Sequence, residues 1–142
     1  MIEIAEASAS GRQAVAQLYA QAGYGAPIEA GDRVMVATLE GQLVGAVRLC
    51  CEHGVMVLRG MQVRNGFQRL GIGSRLLEAC LPWLDRGVVF CLPYAHLTGF
   101  YGAAGFEVLG ADGLPAFLAQ RLDRYLAQGQ NVVAMRRAVA PA

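Results

Sequence analysis

The sequence Gln68-Arg69-Leu70-Gly71-Ile72-Gly73-Ser74 joins an apolar run that predicts a strand, residues 55–63, to a run with apolar residues at helical spacing. Gly71 and Gly73 allow a sharp backbone turn and carry no side chain that would block a ligand. The first amides of a helix have no intrahelical acceptor and lie at the positive end of its dipole, so they can bind phosphate. The sequence therefore predicts a phosphate-binding turn at the start of a helix.

Two common nucleotide-binding motifs do not fit this turn. A Walker loop would require Gly-Lys-Ser or Gly-Lys-Thr, which does not follow here. In a dinucleotide-binding fingerprint, Leu76 would have to be a third glycine, and an acidic residue would stand near Cys91. The Gly-x-Gly spacing alone is also typical of a plain tight turn, so the interpretation depends on the rest of the chain.

The predicted order of elements is that of an α/β protein. Strands are predicted at 2–5, 33–39, 42–50, 55–63, 88–92, 106–109 and 131–136, and helices after a Ser8 or Ser10 cap, at 72–85, at 96–104 and at 115–127. Pro82 should bend or shorten its helix, and Gly60 inside a strand indicates a bulge or a close backbone approach. No repeat or linker interrupts the pattern, so we expect a single domain over residues 1–142.

Two motifs resemble those of the GNAT superfamily of N-acetyltransferases. The stretch from Gln68 to Gly73 matches the family's Gln/Arg-x-x-Gly-x-Gly/Ala motif, and Tyr101 to Phe106 matches its Tyr-x-x-x-Gly-Phe element. The element order from Ile2 to Arg136 is similar as well. The resemblance implies a mixed, mostly antiparallel sheet with a central V-shaped splay, flanked by helices. It also implies transfer of an acetyl group from acetyl-CoA to an amine, by direct attack in a ternary complex.

The resemblance further implies which residues bind acetyl-CoA. The pantetheine arm would pair with the free edge of the fourth strand, as an added strand does. The pyrophosphate would rest on the amides at the glycine turn. The implied cofactor-binding residues are Met61, Gln62, Val63, Gln68, Arg69, Leu70, Gly71, Ile72, Gly73 and Ser74. Tyr101 lies where the family commonly has a general acid: an ordinary tyrosine hydroxyl, with a pKa of about 10, can protonate a departing thiolate whose thiol has a pKa of about 8.5.

The sequence departs from the family pattern at two positions. Val57 stands where some members carry a glutamate that acts as general base, and Tyr94 replaces an asparagine that often contacts pantetheine. The general base is therefore left open among Glu52, His53, His96 and water. Arg59 could face the cleft, but an ion-paired strand residue is the favoured interpretation.

Other functions were weighed against acetyl transfer. A catalytically silent acyl-CoA sensor would also retain the glycine turn, and a dimerisation module without ligand would not bind CoA. A Ser74 nucleophile is disfavoured because no Gly-x-Ser-x-Gly motif exists. Acyl transfer through Cys91 is disfavoured because an apolar setting raises the pKa of a thiol.

Composition limits the partners. Net charge is +1 without a basic run, which gives no support to nucleic-acid binding. No apolar run approaches the roughly 20 residues of a membrane helix, and the first residues lack the pattern of a signal peptide, so we expect a soluble, cytoplasmic protein. With 55% hydrophobic and 16% charged residues, the surface has room for an apolar ligand cleft or a homodimer contact.

Four reduced, mostly buried cysteines without metal-ligand spacing are expected: Cys50, Cys51, Cys80 and Cys91. The resemblance implies a small-molecule or peptide amine as acceptor, with small amine, antibiotic, peptide terminus and lysine left open, and its pocket is expected at the 23–31 loop and the 115–127 helix.

Overall fold

The computed structural model describes residues 1–138 of the chain. The chain divides into two compact units, of which the first is Met1–Trp83 and the second begins at Leu84. The single domain expected over the whole sequence stays a prediction, and residues 139–142 lie outside the described part. Within residues 1–138, no helix is long and apolar enough to cross a membrane.

The first unit is a four-stranded antiparallel sheet with helices packed on it. Its elements are β1 (Ile2–Glu6), α1 (Ala9–Gln21), β2 (Arg33–Leu39), β3 (Gln42–Glu52), β4 (Val55–Val63), α2 (Ile72–Ala79) and the start of α3 (Leu81–Leu84). The strands lie in the order β1-β2-β3-β4. The order and type of these elements are as the sequence predicted, except that one helix was expected where α2 and α3 lie.

Local signals account for the ends of several elements. The Ser8 hydroxyl accepts a hydrogen bond from the Gly11 amide and caps α1, as expected of one of the two candidate serines. Glu40 and Gly41 both have positive φ, 52° and 80°, which matches the two-residue turn whose twist suits a hairpin. From this turn the strands β2 and β3 pair antiparallel, with one register shift between Ala37 and Thr38.

The helix predicted over 72–85 is in fact two helices. The first, α2, ends at Ala79 with Cys80 as its C-cap, and α3 follows at once. Pro82 lacks the N–H that would continue the α2 hydrogen-bond ladder, and its ring clashes with the preceding turn. The predicted disturbance by Pro82 is confirmed, but the single continuous helix was wrong.

The helices α1 and α2 cover opposite faces of this sheet. Val15, Leu18 and Tyr19 of α1 pack in one core cluster with Ala46 of β3. The neighbouring Gly45 faces α2: a Cβ there would lie 3.2 Å from Ile72 Cγ2 and 3.3 Å from Leu76 Cδ1. Adjacent strand residues point to opposite faces, so the two helices sandwich β3.

The second unit is built from three short strands and two helices. Its elements are β5 (Val89–Cys91), a 3₁₀ turn (Ala95–Leu97), α4 (Thr98–Gly102), β6 (Glu107–Leu109), α5 (Ala116–Ala127) and β7 (Ala134–Arg137). The strands lie in the order β5-β7-β6 and pair antiparallel. With helices beside mostly antiparallel strands in both units, the expected α/β class is confirmed; the V-shaped splay stays a prediction.

Three predicted boundaries in this unit were wrong. The helix expected at 96–104 is a 3₁₀ turn followed by the five-residue α4, and Pro115 is the N-cap of α5 rather than part of its first turn. The last strand begins at Ala134, because Val132 makes only an isolated bridge with Tyr94. Apolar spacing marks the presence of these elements, whereas hydrogen bonds to other segments set their ends.

Candidate functional site

The start of α2 has the geometry of an anion-binding helix terminus. Gly71 is its N-cap, with a left-handed φ of 76°, and within residues 1–138 no side chain caps the helix. The first helical hydrogen bond at this end runs from the Arg75 amide to the Gly71 carbonyl, 3.1 Å. A Cβ added at Gly71 would meet nothing within 4 Å. Among the described residues, the first N–H groups of α2 thus lack helical acceptors and a side-chain cap, which is the state in which a helix terminus can bind phosphate.

The loop before α2 adds to this terminus. Arg69 also has positive φ, 67°, so two left-handed residues, Arg69 and Gly71, lie close together in the chain. Such alternation turns successive backbone N–H groups toward one concave spot that attracts anions.

The side chains of Gln68, Arg69 and Leu70 are exposed, whereas Ile72 is buried and anchors the helix. Of the remaining predicted residues of the turn, Gly73 is half-buried and Ser74 is exposed.

The end of β4 presents main-chain groups away from β3. The Arg64 amide donates to the Val44 carbonyl at 2.8 Å, so Arg64 faces β3. Main-chain groups alternate between the two edges of a strand, so those of Val63 and Met61 point away from β3 and those of Gln62 point toward it. Gln62 is half-buried, and because its main-chain groups face β3, only its side chain is available to contact a ligand.

One polar contact already lies at this edge of β4. The Gln68 side-chain amide donates to the Val63 carbonyl at 3.2 Å. This exposed hydrogen bond joins the glycine turn, where phosphate binding is predicted, to the strand edge where the pantetheine arm is predicted to pair. The first unit thus brings the predicted cofactor residues of β4 and of the loop together.

Tyr101, the predicted general acid, lies in the second unit. It is part of α4 and is 6% exposed. Its ring packs edge-on against Phe100, with centroids 4.9 Å apart, and against Phe106 at 6.0 Å. Its carbonyl accepts from the amides of Ala104 and Phe106. The Tyr-x-x-x-Gly-Phe element is thus one packed turn, and the catalytic role of Tyr101 stays a prediction.

The candidates for the general base differ in their surroundings. Glu52 forms an ion pair with Arg59, with 2.9 Å between Oε1 and Nη1, and Arg59 Nε donates to the Tyr24 hydroxyl at 2.9 Å. The ion-paired interpretation of Arg59 is therefore confirmed. His53 lies in the β3–β4 turn with a φ of 52°, and Val57 is buried and has no group that accepts a proton.

His96, the remaining candidate for the general base, lies beside Tyr94, which replaces the family's asparagine; both are in the second unit. His96 is exposed in the 3₁₀ turn, and its ring stacks on Tyr94, with centroids 5.9 Å apart and an interplanar angle of 16°. Tyr94 is half-exposed. The pair is accessible to solvent, as a surface histidine commonly is.

The cysteines match their expected environment. Cys50, Cys80 and Cys91 are buried and Cys51 is exposed, all as free thiols. Burial raises the pKa of Cys50 and Cys80 to about 12 and that of Cys91 further still. A thiol so hard to ionise is a poor nucleophile, which agrees with the low rank given to Cys91. Within residues 1–138, no group of three or more His, Cys, Asp or Glu could hold a metal ion.

A buried polar cluster beside β4 escaped the sequence analysis. Arg48 of β3 is 1% exposed and pairs with Asp32, with 2.9 Å between Nη1 and Oδ2. Its guanidinium also donates to the carbonyls of Ala26 and Pro27, and it lies against the rings of Tyr19 and Tyr24. The signal in the sequence was a lone arginine inside an apolar strand, because a buried arginine requires a partner.

Comparisons with known proteins agree with this geometry. A model of the family described as Acetyltransferase (GNAT) domain matches residues 30–108. The chain belongs to the GNAT acetyltransferase family. The match includes β2, β3, β4 and the whole glycine turn with α2. No curated protein sequence matches the chain.

Solved GNAT structures share the fold. The ribosomal-protein-S18-alanine N-acetyltransferase of Escherichia coli is 16% identical with a TM-score of 0.71, covering 100% of this chain and 96% of its own. N-acetylglutamate synthase of Neisseria gonorrhoeae, solved with coenzyme A and N-acetyl-glutamate, is 17% identical with a TM-score of 0.67, covering 99% of this chain and 36% of its own. A putative streptothricin acetyltransferase of Bacillus anthracis, solved with acetyl coenzyme A, is 15% identical with a TM-score of 0.56, covering 79% and 65%. At these identities the likeness shows the fold of this GNAT protein, not its acceptor.

Proposed function

We propose that this GNAT protein transfers the acetyl group of acetyl-CoA to an amine by direct attack in a ternary complex. The observation that carries the proposal is the exposed, left-handed Gly71 at the uncapped start of α2, directly after the loop that leaves β4. If the pyrophosphate of a ligand is bound there, the rest of the ligand can extend along the edge of β4. That is the arrangement of a pyrophosphate and its pantetheine arm.

The phosphate contact combines charge with hydrogen bonds. A helix dipole contributes only about 0.3–2 kcal/mol near its terminus. Pyrophosphate binding therefore also requires hydrogen bonds from the first-turn amides and the charge of Arg69 beside them. The residues Gln68 to Ser74 supply these groups. Met61 and Val63 would bond the pantetheine amides, as an added strand bonds a sheet edge.

The reaction forms one bond and breaks one. Acetyl-CoA supplies a thioester, and the acceptor nitrogen bonds to its carbonyl carbon while the carbon–sulfur bond breaks. In the proposed mechanism Tyr101 gives its phenolic proton to the departing sulfur. The proton lost by the amine goes to water, Glu52, His53 or His96.

A catalytically silent acyl-CoA sensor is the second candidate. It is favoured by the buried Val57 at the position of the glutamate base and by the 6% exposure of Tyr101. A sensor would bind CoA through the same turn without turnover.

The acceptor and the setting of the reaction are also proposals. We propose a small-molecule or peptide amine as acceptor, bound at the 23–31 loop and the 115–127 helix. The remaining proposals are a single cytoplasmic domain over residues 1–142, with a homodimer left open and with no metal, nucleic acid or membrane as partner.

Two measurements test the proposal, first of CoA binding and then of turnover. Titration calorimetry with CoA should show one site, and saturation at about 100 times the dissociation constant should raise the free energy of unfolding by about 2.7 kcal/mol. Thiol release from acetyl-CoA is then measured with a panel of small amines and peptides. Acceptor-dependent release supports the transferase, and binding without release on any acceptor supports the sensor. The absence of CoA binding would contradict both.

A further inference from the structure

Tyr19 of α1 reaches across to β4 and contacts its one interior glycine. Tyr19 is 2% exposed, and its hydroxyl donates to the Gly60 carbonyl at 2.7 Å. Its ring is held by the edge of Tyr24, with centroids 4.8 Å apart, and by the Arg48 guanidinium 5.5 Å from the ring centre. Burial raises the pKa of the Tyr19 phenol above its usual value, so it keeps its proton and acts as a donor.

Gly60 lies in a β-bulge. Arg59 stands opposite Arg48, whereas Gln62 stands opposite Ala46. Two residues of β4, Gly60 and Met61, therefore lie opposite the single Val47. Gly60 has a φ of 71°, the left-handed conformation that this kind of bulge gives to its glycine.

The bulge sets which main-chain groups of β4 face away from β3. Side chains and main-chain groups alternate along a strand, so one extra residue reverses the alternation beyond it. With the bulge, Met61 and Val63 direct their N–H and C=O groups away from β3. Without it, Gln62 would take that orientation, and the proposed pairing with pantetheine would lose its register.

Tyr19 and Gly60 fit together without spare room. A Cβ on residue 60 would collide with the Tyr19 hydroxyl and would lie 2.8 Å from its Cζ. The bulge therefore depends on glycine, because of its φ and because of this contact. The Tyr19 hydroxyl also donates a hydrogen bond to the Gly60 carbonyl, which lies at the interruption of the β3–β4 pairing.

We propose that Tyr19 is a positioning residue for the acetyl-CoA site. Its hydrogen bond holds the Gly60 bulge, and the bulge orients Met61 and Val63 toward the pantetheine arm. This role rests on the proposed function, since it concerns the strand edge to which CoA would bind. Tyr19 itself touches neither the cofactor nor the acceptor in this proposal.

The test separates the pantetheine arm from the phosphates. Dissociation constants are measured by calorimetry for CoA and for 3′-phospho-ADP, which lacks the arm, with the wild type and Tyr19→Phe. We expect Tyr19→Phe to weaken CoA binding by about 3- to 10-fold, the equivalent of one neutral hydrogen bond, and to leave 3′-phospho-ADP binding unchanged. Tyr24→Phe is the matched control, because the Tyr24 hydroxyl accepts from Arg59 and Arg48, whereas the donor to the Gly60 carbonyl is Tyr19; it should change neither constant.

Several results would overturn the role of Tyr19. The first is an unchanged CoA dissociation constant in Tyr19→Phe. The second is an equal loss of affinity for CoA and 3′-phospho-ADP in that variant. The third is a loss of CoA affinity in Tyr24→Phe equal to that in Tyr19→Phe. Gly60→Ala disturbs the same bulge from β4 and should give the same selective loss, which keeps the test available if one variant is poorly folded. A wild type that binds no CoA would instead end the proposed function, which distinguishes the two failures.

Discussion

The Arg48 guanidinium and the Asp32 carboxylate form an ion pair inside the first unit, with 2.9 Å between Nη1 and Oδ2 and side-chain exposures of 1% and 5%. The Arg48 guanidinium also donates to the carbonyls of Ala26 and Pro27 and to the Tyr24 hydroxyl, all in the 23–31 loop. Asp32 also accepts from the Glu29 amide at 2.8 Å. One buried arginine thus ties this loop to the centre of the sheet.

Breaking this pair should cost far more stability than breaking an exposed one. Asp32→Asn leaves the Arg48 charge buried without its counter-ion, and we expect the free energy of unfolding to fall by about 3–5 kcal/mol. Glu6→Gln is the control: its pair with Arg33 has 2.8 Å between Oε1 and Nη1 and is 37–50% exposed. That change should cost less than about 1 kcal/mol. Urea unfolding at pH 7 measures both, and similar losses would refute the buried-pair argument.

Gly71→Ala should impair CoA binding beyond its effect on stability. At a φ of 76° an alanine is strained, by about 1–2 kcal/mol, and a shift of the residue 71 backbone that relieves the strain would move the first amides of α2. Gly41→Ala is a matched control, because Gly41 has a φ of 80° and equally open surroundings in the β2–β3 turn. Both variants should lose similar stability in urea, and only Gly71→Ala should raise the CoA dissociation constant. Equal constants in calorimetry would show that phosphate lies elsewhere.

Tyr101→Phe should lower turnover without changing CoA affinity. Loss of a general acid typically reduces the rate by about 10²–10⁴-fold, whereas the ring contacts with Phe100 and Phe106 would remain. Thiol release with the best acceptor measures the rate, and calorimetry measures binding. Wild-type turnover in Tyr101→Phe would remove its proposed role.

The buried thiols should make the protein less stable in alkali. Cys50 and Cys80 stay protonated in the folded chain to about pH 12, but unfolded thiols ionise near their ordinary value of 9.0. The unfolded state therefore binds fewer protons between pH 9 and 12. In this range the free energy of unfolding falls as pH rises, by about 1.4 kcal/mol per pH unit for each such thiol.

A variant series isolates this effect. Cys80→Ala should make the pH dependence shallower by one thiol, and Cys51→Ala, at an exposed cysteine, is the control substitution. Urea unfolding at several pH values measures the slope. A slope that does not respond to Cys80→Ala would contradict the assignment.

Much of the first unit could be predicted because its signals are local. The Ser8 cap, the Glu40-Gly41 turn and the Gly71 N-cap each depend on residues within one turn of the chain. The Gly60 bulge was also indicated, because a strand interior rarely tolerates glycine without such a reason. The family motifs then located the cofactor residues of β4 and α2.

Element ends were predicted less well, because they depend on both local and distant partners. The split of the 72–85 helix at Cys80 and the start of the last strand at Ala134 illustrate this. Apolar periodicity continues through both positions. Pro82 explains the break after α2, but the exact residue at which α2 ends and the start of β7 are set by hydrogen bonds in the folded chain.

The sequence by itself determined the family, the order of the elements and the glycine turn that opens α2, because residues adjacent in the chain specify turns, caps and periodicity. Only the tertiary structure decided the partners of Arg48 and the contact of Tyr19 with Gly60. Asp32 and Arg48 are 16 positions apart, and Tyr19 and Gly60 are 41 apart. Such contacts exist only after strands and helices have packed, since burial then makes each polar group depend on the partner that folding places beside it.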